Sequence, residues 1–111
     1  MSPWTLGALL ADVARLTPLQ VPDLGGSASL VVTGIAYDSR AVAPGAVFVA
    51  VRGAQRDGTE YAAQAIARGA IAVVADRPAP GPVDVPWVVA DRGRVALAAC
   101  AATFHRHPSE Q

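Results

Sequence analysis

Lysine is absent from the chain; all nine of its basic residues are arginines. That removes a Schiff-base lysine and the lysine of a phosphate-gripping P-loop from the chemistry available. Cysteine is nearly absent too. Cys100 stands alone, which excludes an internal disulfide and a cysteine-rich zinc site. Neither sign of charge dominates: nine Asp and Glu residues balance the nine arginines. A nucleic-acid surface needs a basic stripe, and none stands out, so no nucleic-acid partner is expected. No apolar run approaches the ~20 residues that cross a bilayer. The opening "MSPWTLGALLADVARL" lacks the basic leader and long apolar block of a signal peptide, so a cytoplasmic location without membrane contact is the expectation.

What is present is a globular composition. The 111 residues suit one domain, 1–111, and at 52% hydrophobic and 16% charged they can fill a core. Residues 2–16 carry a helical pattern, with Ser2 as cap, Pro3 at the first position, and Leu6, Leu9, Leu10, Val13 and Leu16 on one face. Residues 17–29 contain two prolines and two glycines and read as irregular. Strands are expected at 30–37, 46–51, 70–75 and 87–90. The 46–51 run is apolar on both faces, as in a central strand covered on both sides. Pro44-Gly45 marks a turn, with Gly45 at positive φ. A helix is expected at 59–68, capped by Thr59 and stopped by Gly69. Another should start at an Asp91 cap and end near Pro108. Strand–helix alternation in the second half implies parallel pairing. The fold class expected is α/β: a small three-layer sandwich with a mostly parallel sheet of four to five strands and flanking helices.

Catalytic machinery is hard to find. His105 and His107 are two residues apart, so they point in different directions on a helix; an interaction with the helix dipole is expected of them, and no metal. Cys100 lies in "ALAACAA" and reads as a small core residue. Trp4 and Trp87 adjoin regular elements and read as packing. No catalytic residue is assigned. The polar residues that remain cluster around one strand. Tyr37, Asp38, Ser39 and Arg40 precede it; Gly53, Ala54, Gln55, Arg56, Asp57 and Gly58 follow it. Ligands of open α/β sheets gather beyond the carboxyl ends of strands. If the two strands are parallel, both loops share one rim. That rim would offer backbone donors and acceptors plus a serine hydroxyl, which suits a planar base such as uracil. The residues alone leave ligand binding and turn shaping both open: Asp38 can make an Asx turn and Arg40 can pair with it.

The stretch from Val32 to Asp76 resembles the N-terminal domain of the Mur ligases, ATP-dependent enzymes of bacterial cell-wall precursor synthesis. It carries T-G-x-x-x-D-S-R, then P-G-x-x-F-x-A, then G-x-x-x-D-G, then A-I-x-x-G-A, in order. "LGALLADV" near the start and "ALAACAATFHRHPSEQ" at the end resemble the branch that adds the third peptide residue. The resemblance implies that the domain holds the uridine of UDP-MurNAc-L-Ala-D-Glu while a diamino acid, of the diaminopimelate or lysine type, is added. Tyr37, Ser39, Ala54, Gln55, Arg56 and Asp57 would meet the nucleotide. Asp38, Arg40, Gly45, Gly53 and Gly58 would shape the loops. Thr59 stands where many members carry a histidine. ATP and Mg²⁺ are implied for the intact enzyme, in a central domain outside this chain, and no cofactor for the domain itself. The partners implied are the UDP-MurNAc-dipeptide and the enzyme's own central and C-terminal domains. The alternatives are the D-Ala-D-Ala-adding branch and a non-catalytic interaction module.

Overall fold

A computed structural model describes residues 4–50, 61–79, 81 and 83–105. Among them, five strands form one sheet in the order β1-β5-β4-β3-β2. The strands are β1 (Leu19–Gln20), β2 (Gly34–Ala36), β3 (Ala46–Ala50), β4 (Ala72–Ala75) and β5 (Trp87–Ala90). β2 through β5 run parallel, and β1 joins the outer side of β5 antiparallel. The helices are α1 (Leu6–Ala14), α2 (Ala62–Ala67) and α3 (Gly93–His105).

The period of two along each strand sorts the side chains into two cores. Val47, Val49, Ala72, Val74, Val88 and Ala90 point to one face, where α1 and α3 supply Leu6, Leu9, Leu10, Val13, Ala96, Ala99 and Cys100. Ala46, Phe48, Ala50, Val73, Ala75 and Trp87 point to the other, under α2 and the turn after β2. All residues of β3 and β4 are buried. This is why their sequences are continuously apolar, and it gives the three layers expected. Burial pushes the Cys100 thiol up to about 12, so it stays protonated and acts as a small core residue.

Several element boundaries differ from those read in the sequence. α1 starts at Leu6 with Thr5 as its cap, not Ser2. Thr5 is extended, and its hydroxyl accepts from the Ala8 N–H at 3.3 Å. The residues before the helix are occupied elsewhere. Thr5 bridges Val31, and the Trp4 carbonyl accepts from the Val32 N–H at 2.8 Å. Leu16 lies off the buried face at 59% exposure, because a tight turn from Val13 to Leu16 ends the helix and Thr17 takes the inside position. Residues 17–29 are not wholly irregular. They hold β1 and a 3-10 helix, Gly25–Ser29, and two residues are too short a strand for a periodicity to show.

The expected 30–37 strand narrows to Gly34–Ala36, since Val31 and Val32 pair with the chain before α1. α2 covers Ala62–Ala67, with Arg68 as its C-cap; Thr59 lies outside the described residues. The 70–75 strand begins at Ala72, because the Ala70 N–H still donates to the Ala65 carbonyl of α2. α3 starts at Gly93, not from an Asp91 cap: the Ala96 N–H donates to the Arg92 carbonyl. Pro108 is outside the described residues. The 87–90 strand matches the sequence reading.

The amino edge of the sheet is tied by two glycines. Gly45 has φ +91° and Gly69 φ +110°. A Cβ on Gly69 would lie 2.6 Å from Pro44 Cα, and one on Gly45 would lie 2.7 Å from Thr33 Cγ2. The Gly45 N–H donates to the Gly69 carbonyl at 2.9 Å, and the Thr33 N–H donates to the Gly45 carbonyl at 3.0 Å. Gly69→Ala meets both a disfavoured backbone region and a backbone clash. Urea denaturation of the variant is expected to show a loss of about 1–3 kcal/mol; an unchanged midpoint would contradict the close approach.

Candidate functional site

Parallel strands send all their carboxyl ends to one rim. β2 ends at Ala36 and passes into Tyr37, Asp38 and a 3-10 turn, Ser39–Ala41. β3 ends at Ala50, β4 at Ala75 before Asp76 and Arg77, and β5 at Ala90 before Asp91 and Arg92. Because Ala36 is in register with Phe48, the turn after β2 and the exit of β3 leave by the same rim. The second half of the expected site, Gly53, Ala54, Gln55, Arg56, Asp57 and Gly58, lies outside the described residues. Tyr37 is 70% exposed, a large ring held at the rim with most of its surface available.

The turn after β2 is built by Asp38. Its carboxylate accepts from the Arg40 backbone N–H at 2.9 Å, as in an Asx turn. The same oxygen accepts from Arg40 Nε at 3.1 Å, and the other accepts from Nη2 at 2.9 Å. The Asp38 carbonyl accepts from the Ala41 N–H at 2.9 Å. A guanidinium fork and a carboxylate match in geometry, so both oxygens are engaged at once. The Arg40 side chain, and after it the Arg40 backbone N–H, hold the Asp38 carboxyl down at about 2, against an ordinary value of 3.8. Reciprocally, the hydrogen bond to Asp38 raises the Arg40 guanidinium.

Farther along the rim, the Trp87 indole N–H donates to the Arg77 carbonyl at 2.9 Å. This ties the exit of β4 to the start of β5. The Asp76 carboxylate lies beside Gly93 at the head of α3, 3.3 Å from where a Cβ would sit. Sequence reasoning missed Asp76 and Arg77 as rim residues. A signal was there to find: Asp38, Asp76 and Asp91 each closely follow a strand, and each has an arginine within two residues. A group at the end of α2 was missed as well. The Arg68 cation adds to the lowering of Asp38. It comes from packing α2 onto the turn, which no local spacing displays.

The description "Mur ligase family, catalytic domain" matches residues 31–105. The chain belongs to the Mur ligase family. It is 45% identical over 106 residues to a UDP-N-acetylmuramoyl-L-alanyl-D-glutamate–2,6-diaminopimelate ligase from Solibacter usitatus, covering 96% of this chain and 21% of that protein. A UDP-N-acetylmuramyl-tripeptide synthetase from Roseiflexus is 52% identical over 81 residues, covering 72% of this chain and 16% of that protein. The chain thus spans about a fifth of the length of these curated relatives. A crystal structure of MurF from Acinetobacter baumannii superposes with a TM-score of 0.65 at 24% identity, over 89% of this chain and 20% of that one. That likeness shows the shared fold. No helix among the described residues is long and apolar enough to cross a membrane.

The lowered Asp38 carboxyl fixes the pH behaviour of the turn. A depressed folded value means the order contributed by the ionised pair is fully present above the ordinary 3.8 and is lost as pH falls through about 2. Amide exchange or chemical shifts at Ser39 to Ala41 are expected to stay native-like at pH 4 and to change as pH approaches 2. A change centred at 4 or above would contradict the pairing.

Proposed function

We propose that this chain is the N-terminal, substrate-holding part of an ATP-dependent ligase, and that its carboxyl rim binds the uridine nucleotide of UDP-MurNAc-L-Ala-D-Glu. The parent enzyme would add a diamino acid to that dipeptide. One observation carries the site assignment. The D-S-R turn stands at the carboxyl rim, beside the exit of the adjacent parallel strand, where an open α/β sheet binds its ligands. The name of the Solibacter relative, a ligase of UDP-N-acetylmuramoyl-L-alanyl-D-glutamate and 2,6-diaminopimelate, supports the substrate and the diamino acid.

In this reading Tyr37 and Ser39 contact the nucleotide from one side, and Ala54, Gln55, Arg56 and Asp57 from the other. Asp38, Arg40, Gly53 and Gly58 hold the rim loops, and Gly45 holds the turn at the opposite, amino edge of the sheet. The chain makes no bond itself. It has no P-loop lysine to grip a triphosphate, so ATP and Mg²⁺ belong to the part of the parent protein outside it, as do its further domains. Its contribution is remote binding energy, which orients the far end of a long substrate and is expressed in the reacting geometry elsewhere.

Titration of isotope-labelled chain with UDP tests the reading. Backbone shifts at Tyr37 and Ser39 are expected to saturate, and Ser39→Ala is expected to weaken binding roughly 5- to 10-fold, as for loss of one hydrogen bond. Absence of shifts at millimolar UDP would contradict it. The same labelled chain is expected to stay inert as a ligase, since the groups that would activate a carboxylate lie elsewhere.

A further inference from the structure

We propose that Arg40 is a positioning residue of the nucleotide subsite, acting on Ser39 through Asp38; this rests on the uridine reading of the rim and makes ligand affinity depend on an exposed ion pair. Ser39 is the residue between the two partners. On its N-terminal side, the Asp38 carboxylate is bound by Arg40 Nε and Nη2 at 3.1 and 2.9 Å, and by the Arg40 backbone N–H at 2.9 Å. On its C-terminal side, the Ala41 N–H returns to the Asp38 carbonyl at 2.9 Å. The backbone of Ser39 is therefore the short span of a closed ring of hydrogen bonds, and its conformation follows from the ring.

The two side chains in the ring are 81% and 41% exposed. Exposed pairs add little to global stability because water and salt screen them. The fork does something that screening does not remove: it sets a direction. Two donors in a rigid plane meet two acceptors in a rigid plane, so the pair fixes an orientation that a point charge cannot. With Nε and Nη2 both turned to Asp38, Arg40 serves the turn rather than a ligand. The charged and titratable groups around the ring come from two elements. Arg40 shares the turn with Asp38; Arg68, at the end of α2, adds positive field at Asp38, and Tyr61 stands just before α2. α2 packs on the turn, so the ring is braced from behind.

Arg40→Lys and Asp38→Asn separate direction from charge and from fold. Lysine keeps the cation without the fork; asparagine keeps one acceptor without the anion. Two quantities are read on each variant of the 111-residue chain, UDP affinity by chemical-shift titration and the urea midpoint, and a third on Arg40→Lys, the carboxyl titration of Asp38. The expected result is UDP binding weakened at least 5-fold in both variants, urea midpoints equal to wild type, and Asp38 titrating in Arg40→Lys closer to an ordinary carboxylate. Wild-type affinity in the variants, alongside a wild-type chain that binds UDP, overturns the inference alone. Weakened binding accompanied by a matching fall in the urea midpoint also overturns it, since the pair then acts on the whole fold. A wild-type chain blind to UDP overturns the uridine reading and this inference together.

Discussion

The close approach of Gly69 to Pro44 is the constraint on which the other features depend. At 2.6 Å from a would-be Cβ to Pro44 Cα, only a residue without a side chain lets the chain leave α2 and drop into β4 against the turn that starts β3. Its φ of +110° reverses the direction of the chain at that point, in a region that glycine enters at little cost. From Gly69 the pairing spreads outward. The Gly45 N–H meets the Gly69 carbonyl, the Thr33 N–H meets the Gly45 carbonyl, and the Ile71 N–H meets the Ala46 carbonyl. Three strands are set in register from one corner. That register decides which side chains of β3 and β4 face α1 and α3 and which face α2. It also decides that the turn after β2 emerges next to the exit of β3.

The motif residues that resemble the family divide between two ends of the sheet. Thr33, Pro44, Gly45 and Gly69 lie at the amino edge, where they hold backbone to backbone. Asp38, Ser39 and Arg40 lie past the carboxyl end of β2. A sequence motif can thus mix residues that set strand register with residues that face a rim, and spacing alone does not separate the two. Geometry does: a Cβ added at Gly45 or Gly69 collides with Thr33 or Pro44, whereas Tyr37 and Arg40 keep most of their surface in water.

How much of this was legible depended on the range of the forces involved. β5 and the stop of α2 at Gly69 could be read because each is written locally, in β-branched runs and in a glycine after a helix. The core of β3 was legible because burial on both faces leaves no polar position to confuse the pattern. The start of α1 was not. Ser2 and Pro3 made a sound local signal, but Trp4 and Thr5 are pulled into pairing with Val31 and Val32, more than twenty-five residues away in the chain. The same contact shortened the strand expected at 30–37. β1 was invisible because two residues owe their conformation wholly to Val89 and Ala90 of β5. At the rim, the Asp38–Arg40 pair could be anticipated from adjacency, whereas the influence of Arg68 on Asp38 requires the packing of α2.

The two borders of the sheet carry a further consequence. A parallel sheet this apolar, with valine and alanine through its centre, resembles the self-adhesive segments that zip together strand upon strand. Its outermost members give little for another copy to grip. β1 is two residues long and sits between Pro18 and Pro22, and β2 is three residues long. Prolines and short lengths at a border leave few unpaired backbone donors in a row. The proline-flanked β1, in a stretch that reads as irregular in the sequence, and the short β2 therefore leave lateral growth of an otherwise adhesive centre little to build on.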